Sequence, residues 1–377
     1  MEHLYPYLFY LFIIVTAVNV CYYFFFYRFA FAKANTTKAL SKNLNPALPP
    51  ISVIVCAKNE AENLKKHIPK LLEQDYPEFQ IVFINDASSD DTEEVMEQFA
   101  LSDKRVKQVN VVNVEAFWGN KKYALTLGVK AAAYEHLLFT DADCVPATSN
   151  WIREMARGFS QEKEIVLGYG GYEKVKGSLL NQLIRYETLF TAVQYFSYAI
   201  GGKPYMGVGR NLAYTTNLFY EQRGFINHIK IRSGDDDLFV NQAATSQNTT
   251  AIWNYESFTI SKAKKSYRAW FTQKRRHVNV AKYYKWTDKF LLAIFYSSQL
   301  LFFLSAFLIL FTSFQWEICL AIIGLRYLIA WIAVGVSAYR LQEKDCAWFF
   351  PLNELFLIFF QLSIFSANLI SKPNRWK

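Results

Sequence analysis

Asp141 and Asp143 are the residues of this chain best suited to chemistry. They stand one residue apart, directly after the apolar run His136-Leu-Leu-Phe-Thr140, which reads as a buried strand. Two carboxylates at a strand's end can grip a hard divalent cation from one side and leave its other side open to phosphate oxygens. Lys58-Asn59-Glu60 and Asp86-Ala-Ser-Ser-Asp90 likewise follow β-branched runs. Asp86 is a candidate to accept hydrogen bonds from a base or ribose. Its competing role is a helix cap, for which Ser88, Ser89 and Asp90 already suffice. Lys121 and Lys122 open a helix after Gly119-Asn120. They are either diphosphate ligands or solvated lysines.

Further along stands Arg232-Ser-Gly234-Asp235-Asp236-Asp237. Adjacent carboxylates repel one another. Such a cluster binds a metal, raises one pKa towards the range of a general base, or sits in water. The following Leu238-Phe-Val240 argues against full exposure. Gln273-Lys-Arg-Arg276-His277 precedes an apolar stretch. Its arginines suit either bidentate phosphate binding or a lipid-headgroup patch.

Alternating elements must carry these clusters. Strands are expected at 51–56, 80–85, 109–114 and 137–140, with helices at 60–74, 90–100 and 121–134. Short strand–helix alternation predicts an α/β domain with a largely parallel sheet and helices on both faces, over roughly 48–280. Ligands of such sheets bind at the carboxyl ends of strands, where Lys58–Glu60, Asp86–Asp90 and Asp141–Asp143 all fall. No G-x-G-x-x-G follows the first strand and no Walker A motif occurs, which disfavours a dinucleotide fold or P-loop.

The chain has 377 residues, 52% hydrophobic and 18% aromatic, with the apolar residues concentrated at its ends. Residues 4–27 are long enough to span a bilayer. No basic stretch precedes them, which disfavours a cleaved signal. Arg28, Lys33, Lys38 and Lys42 follow, so the positive-inside rule places the next domain in the cytoplasm. Residues 290–314 and 318–339 read as a hairpin of two spans. Residues 347–370 either span or re-enter. Spanning would carry Lys372, Arg375 and Lys377 outside, so the charge rule favours re-entry. The net charge of +9 is then explained by membrane proximity, without nucleic acid. Five cysteines without a C-x-x-C pair suggest buried thiols in a reducing compartment.

Taken in order, these clusters resemble the membrane-integrated family 2 glycosyltransferases, to which cellulose, hyaluronan and poly-N-acetylglucosamine synthases belong. The resemblance covers about 50–290 and the flanking spans. It implies a GT-A-like fold, a mixed and mainly parallel sheet, a nucleotide-sugar donor such as a UDP-sugar, and Mg²⁺ or Mn²⁺. Ala57, Asn59, Glu60 and Asp86 match nucleoside-binding positions. Lys121 and Lys122, followed by Ala124-Leu125, resemble the lysine of G-K-x-x-A-L. Asp141 and Asp143 match the D-x-D at the donor diphosphate and metal. Gly209, Arg210 and Asn211 fall in a glycine-rich loop near sugar and acceptor. Asp235 matches the catalytic base, with Asp236 the alternative by one position, because Gly234 replaces the usual acidic residue. Gln273 and Arg276 match Q-x-x-R-W, and His277 replaces the tryptophan that stacks under the acceptor in processive members.

The implied activity is inverting hexosyl transfer to a lipid-linked or glycan acceptor, by an inner-membrane protein whose catalytic domain faces the cytoplasm. Two alternatives stand beside it: a processive polysaccharide synthase, and an inactive membrane scaffold that retains the fold. The His277 departure favours transfer of single or few sugars.

Overall fold

The computed structural model describes residues 2–33, 48–112, 121–231 and 233–371. Lys38, Lys42, Gly119, Arg232, Lys372, Arg375, Lys377 and the end of the expected 109–114 strand lie outside the described residues.

The chain opens with a helix, α1 (Tyr5–Ala30). The domain then begins as β1 (Ile51–Ala57), α2 (Ala61–Leu72), β2 (Phe79–Asn85), α3 (Thr92–Ser102) and β3 (Val106–Asn110). It continues with α4 (Lys121–Ala131), β4 (His136–Asp141), β5 (Cys144–Pro146), α5 (Trp151–Ala156), β6 (Ile165–Leu167) and β7 (Gly170–Tyr172). The long α6 (Leu179–Ile200) is followed by β8 (Leu212–Thr215), α7 (Thr216–Glu221), α8 (Asp237–Ala243), β9 (Thr249–Ala251), β10 (Thr259–Ser261) and α9 (Tyr267–Val280).

Seven strands form the main sheet in the order β3-β2-β1-β4-β8-β6-β9. The first four run parallel. β8 runs antiparallel to both β4 and β6, and β9 parallel to β6. Burial on both faces explains the continuous β-branched runs of β1 and β2. On one face α2 lays Leu64, Ile68 and Leu71 against the sheet. On the other, α4 approaches so closely that a Cβ on Gly128 would fall 2.2 Å from Ile84 Cδ1. The third strand starts three residues before its expected position. It is an edge strand, so Lys107 and Gln108 tolerate pairing on a half-open face where an apolar run was expected. The small sheet β5-β10-β7 lacks any such run and was not expected.

Four described helices are long and apolar enough to cross a membrane: α1, α10 (Trp286–Phe311), α11 (Trp316–Arg340) and α13 (Phe350–Ile370), the last preceded by the short α12 (Lys344–Trp348). The domain-side end of α1 stacks Phe29 on Phe196. The start of α10 is fixed by Asn241, which donates to Asp288 at 2.8 Å. Past the end of α11, Arg185 of α6 pairs with Glu343 and with Asp345. The far end of α13 meets α9, where Arg275 donates to Asn368 Oδ1 and to the Ala367 carbonyl, each at 2.9 Å. Both ends of the 343–371 segment are therefore tied to the same domain.

Inside the bundle Arg326 of α11 is fully buried. It pairs with Glu354 of α13 and donates to Asn19 of α1 at 2.9 Å. Gln299 of α10 donates to Tyr23 and to Glu354 at 3.2 and 3.1 Å. Arg326 also lies over the rings of Phe302 and Tyr23, at 4.6 and 5.0 Å. One charge pair thus connects all four long helices, as buried charge in an apolar medium requires.

Candidate active site

The carboxyl ends of the parallel strands bring the clusters together. β1 runs into Lys58-Asn59-Glu60 and β2 into Asp86, whose backbone N–H is held by the Ala57 carbonyl at 2.9 Å. Asn59 takes a left-handed φ of 56°. Its side chain accepts from Ser89 N–H at 2.8 Å, and its own N–H donates to Ser88 Oγ at 3.0 Å. Capping at the start of α3 falls to Asp90, which accepts from Thr92 and Ala61. The Asp86 carboxylate is left facing the cleft, 3.6 Å from Lys58 Nζ. Burial raises its pKa against the pull of Lys58.

Asp141 ends β4 and Asp143 sits in the turn before β5. His67 Nδ1–H donates to the Ala142 carbonyl at 3.0 Å and fixes that turn. Burial opposes ionisation of Asp141, but Lys121 outweighs it and holds the carboxyl below the usual range. Asp143 is shifted up, by burial and then by the charge of Asp141. Ligand atoms of Asp141, Asp143 and Cys144 lie within 4.8 Å of one another. The two carboxylates suit a hard divalent cation. Cys144 does not add to the set: burial pushes its thiol well up, and it donates towards Asp143 at 3.5 Å.

Lys121 joins this pair to the downstream acids. Its Nζ lies 2.8 Å from Asp141 and 3.1 Å from Asp235. Burial works against its charge, and the two aspartates more than offset that. Lys122, expected at a diphosphate, is turned the other way. Its fully buried ammonium donates to the carbonyls of His228, Ile231 and Ser233 at 2.8–3.0 Å, fixing the loop that leads to the acidic cluster.

Gly234 has φ +84°, and a Cβ there would meet Asp237, Leu238 and Val280 at 2.8 Å. That geometry accounts for glycine where the resemblance implies an acid. Asp235 beyond it faces Lys121, whereas Asp236 accepts from the Gly209 and Asp237 N–H groups at 2.7 and 2.8 Å. Burial and Asp235 push Asp236 up to about 6. Asp237 accepts from the Tyr284 hydroxyl at 2.8 Å.

Asn211, expected at the acceptor, is instead a buried node. It accepts from Trp151 Nε1 at 3.0 Å and donates to the Tyr169 and Ser257 carbonyls. Arg210 donates to Ser261 Oγ at 3.0 Å and lies 4.3 Å over the Tyr172 ring. Gln273 and Arg276 line the cleft from α9. His277 is exposed towards a second cavity that also reaches Asp235 and Gly209. Lys264 and Arg268, overlooked among the sequence motifs, line the main cleft of about 750 Å³ opposite Asp86. The basic run 262–268 was their available signal.

Residues 52–220 match the family model described as Glycosyl transferase family 2, and the chain carries a domain of that family. Poly-beta-1,6-N-acetyl-D-glucosamine synthase of Staphylococcus epidermidis is 35% identical over 106 residues, 28% of this chain and 24% of that protein. Glycosyltransferase AglE of Haloferax volcanii is 27% identical over 201 residues, 51% of this chain and 60% of that protein. The chain thus matches about a quarter to three fifths of the length of these curated relatives. A solved mannosyltransferase from Pyrobaculum calidifontis, in complex with GDP-Man and Mn²⁺, superposes with TM-score 0.58 at 17% identity, covering 90% of this chain and 99% of that one. That likeness establishes the GT-A-like fold.

Proposed function

We propose that this chain is an inverting hexosyltransferase, moving a sugar from a nucleoside-diphosphate sugar to an acceptor at the cytoplasmic face of a membrane. The observation that carries the reading is the Lys121 ammonium, which spans Asp141 and Asp235 at 2.8 and 3.1 Å. The D-x-D acids and a candidate base therefore border one small volume, as displacement at an anomeric carbon requires.

Asp86, Asn59 and Glu60 take the nucleoside. Lys121, Gln273 and Arg276 face the diphosphate. Asp235 takes the proton of an acceptor hydroxyl. The oxygen attacks the anomeric carbon, and the bond to the diphosphate breaks on the opposite side. Asp141 and Asp143 would hold a divalent cation, which when bound would supply neutralising charge for that leaving group. Mn²⁺ and Mg²⁺ both suit the carboxylates, and the Mn²⁺ in the Pyrobaculum structure supports a metal. UDP-sugars are the first donors to test, with GDP-sugars next.

Arg28 and Lys33 at the domain-side end of α1 support the cytoplasmic face. The ties of Glu343, Asp345 and Asn368 to the domain support re-entry of 347–370.

The test is nucleoside diphosphate release from a panel of UDP- and GDP-sugars by purified membranes, with the product anomer read by NMR. Release with inversion is expected. No release from any donor overturns the activity, and retained configuration overturns the mechanism.

A further inference from the structure

Two chain segments leave the small sheet side by side. β7 and β10 run parallel with Ser261 opposite Tyr172, so residues 173–179 and 262–268 emerge from the same end. Only Glu173 is acidic in these runs, against Lys174, Lys176, Lys262, Lys264, Lys265 and Arg268. Lys264 and Arg268 line the donor cleft, and Lys174 pairs with Asp345 at 2.9 Å. Lys176, Lys262 and Lys265 are exposed.

The apolar residues among them are exposed too: Val175 is 54% accessible, Leu179 61% and Tyr267 49%. The first segment is braced in that shape. Asn181, buried in α6, accepts from the Val175 N–H at 3.0 Å and donates to the Glu173 carbonyl at 2.9 Å. Ser178 caps the helix by accepting from the Asn181 N–H at 3.2 Å. Apolar side chains held outward by a braced loop mark a surface that meets something other than water.

α13 indicates what it meets. Trp270 stacks on Phe360 at 4.1 Å and on Phe356 at 6.1 Å, and Leu180 and Ala263 pack on the same cluster. Leu180 follows Leu179 and Ala263 follows Lys262, so both segments border a helix apolar enough to lie in a membrane. Just past Asp345, the exposed Trp348 and Phe349 continue the apolar surface to the start of α13.

We propose that the two segments form a membrane contact of the α/β domain itself, in which Val175, Leu179 and Tyr267 enter the headgroup layer and Lys176, Lys262 and Lys265 meet the phosphates of anionic lipid. Lysines interleaved with aliphatic and aromatic side chains suit the interface of an anionic bilayer, where the ammonium groups meet headgroups and the apolar groups reach the acyl boundary. The inference goes beyond the transferase reading and rests only on placing the four long helices in a membrane.

The test uses the full chain in nanodiscs of phosphatidylcholine, alone or with phosphatidylglycerol. Val175→Cys, Leu101→Cys and Leu328→Cys are each labelled with an environment-sensitive fluorophore. The background is Cys21→Ser, because Cys21 is the exposed native thiol. Quenching by spin-labelled lipid is then measured. The Val175 probe should be quenched several-fold more than the probe at Leu101, which is 83% exposed at the end of α3. The difference should grow with phosphatidylglycerol, and adding Lys176→Glu and Lys262→Glu should return it to the phosphatidylcholine level. Quenching no greater than at Leu101 overturns the contact, and is the result expected if a protein covers these loops instead. Equal quenching in the two lipids overturns the assignment to anionic lipid. The probe at Leu328, exposed on α11, separates the two readings. No quenching there overturns the membrane placement of the helices, whereas quenching there without quenching at Val175 overturns the loop contact alone.

Discussion

Gly209 donates its backbone N–H to Asp236 Oδ2 at 2.7 Å, and this contact separates the roles of three adjacent aspartates. Asp236 holds the Gly209 loop and the start of α8, and Asp237 is held by Tyr284. Asp235 alone of the three pairs with Lys121. Asp235→Asn should lower turnover by about two orders of magnitude or more, as loss of a general base does, and leave donor affinity intact. Asp236→Asn and Asp237→Asn should cost less turnover. Kinetics and donor binding of the three single variants decide it. An active Asp235→Asn beside a dead Asp236→Asn would move the base by one residue.

Asp143→Asn should abolish transfer while the protein still inserts and folds. Lys121 already neutralises Asp141, so Asp143 is the carboxylate whose charge is least compensated. Transfer is followed against Mn²⁺ and Mg²⁺ concentration. Full activity in the variant, or in the wild type with excess chelator, would refute the metal role.

Gly234→Ala should destabilise the chain by roughly 1–3 kcal/mol, the usual cost of a strained backbone residue. A Cβ at φ +84° meets three side chains at 2.8 Å, Val280 of α9 among them. Thermal unfolding in detergent measures the loss. An unchanged midpoint would show that the loop relaxes.

Removing one partner of the Arg326–Glu354 pair should be costlier than removing both. Each single replacement, Arg326→Met or Glu354→Met, leaves a buried charge uncompensated, at about 3–5 kcal/mol. The double replacement should recover part of this. Unfolding midpoints of the three variants test the ordering, and additive losses would contradict it.

A cysteine introduced at the exposed Lys104 should resist a membrane-impermeant maleimide in intact cells and react after lysis. Labelling of intact cells would reverse the orientation.

The parallel half of the sheet and its clusters were legible because β1, β2 and β4 are apolar on both faces, and polar residues begin abruptly where each strand ends. Lys58, Asp86 and Asp141 could be found this way, whereas Asp235 and Gln273 lie far from those strand ends and were found from the clusters 232–237 and 273–277. The opposed directions of Lys121 and Lys122 could not, since adjacent residues of a helix differ by about 100° in facing and nothing local tells which one meets carbonyls. Asn211 was misread for a related reason: its partners Trp151, Tyr169 and Ser257 are remote in sequence. The strands β5, β7 and β10, of three residues each, are too short for any periodic signal.

The partners of Arg326 also set an order of assembly. During synthesis Asn19 and Tyr23 are made first, and the whole α/β domain is translated before α10 and α11 follow. Arg326 then emerges 28 residues ahead of Glu354. Until α13 arrives, Arg326 of the growing chain has no carboxylate partner in this network. The network among the four long helices therefore completes last, and a chain that stops short of Glu354 leaves Arg326 without its counter-ion.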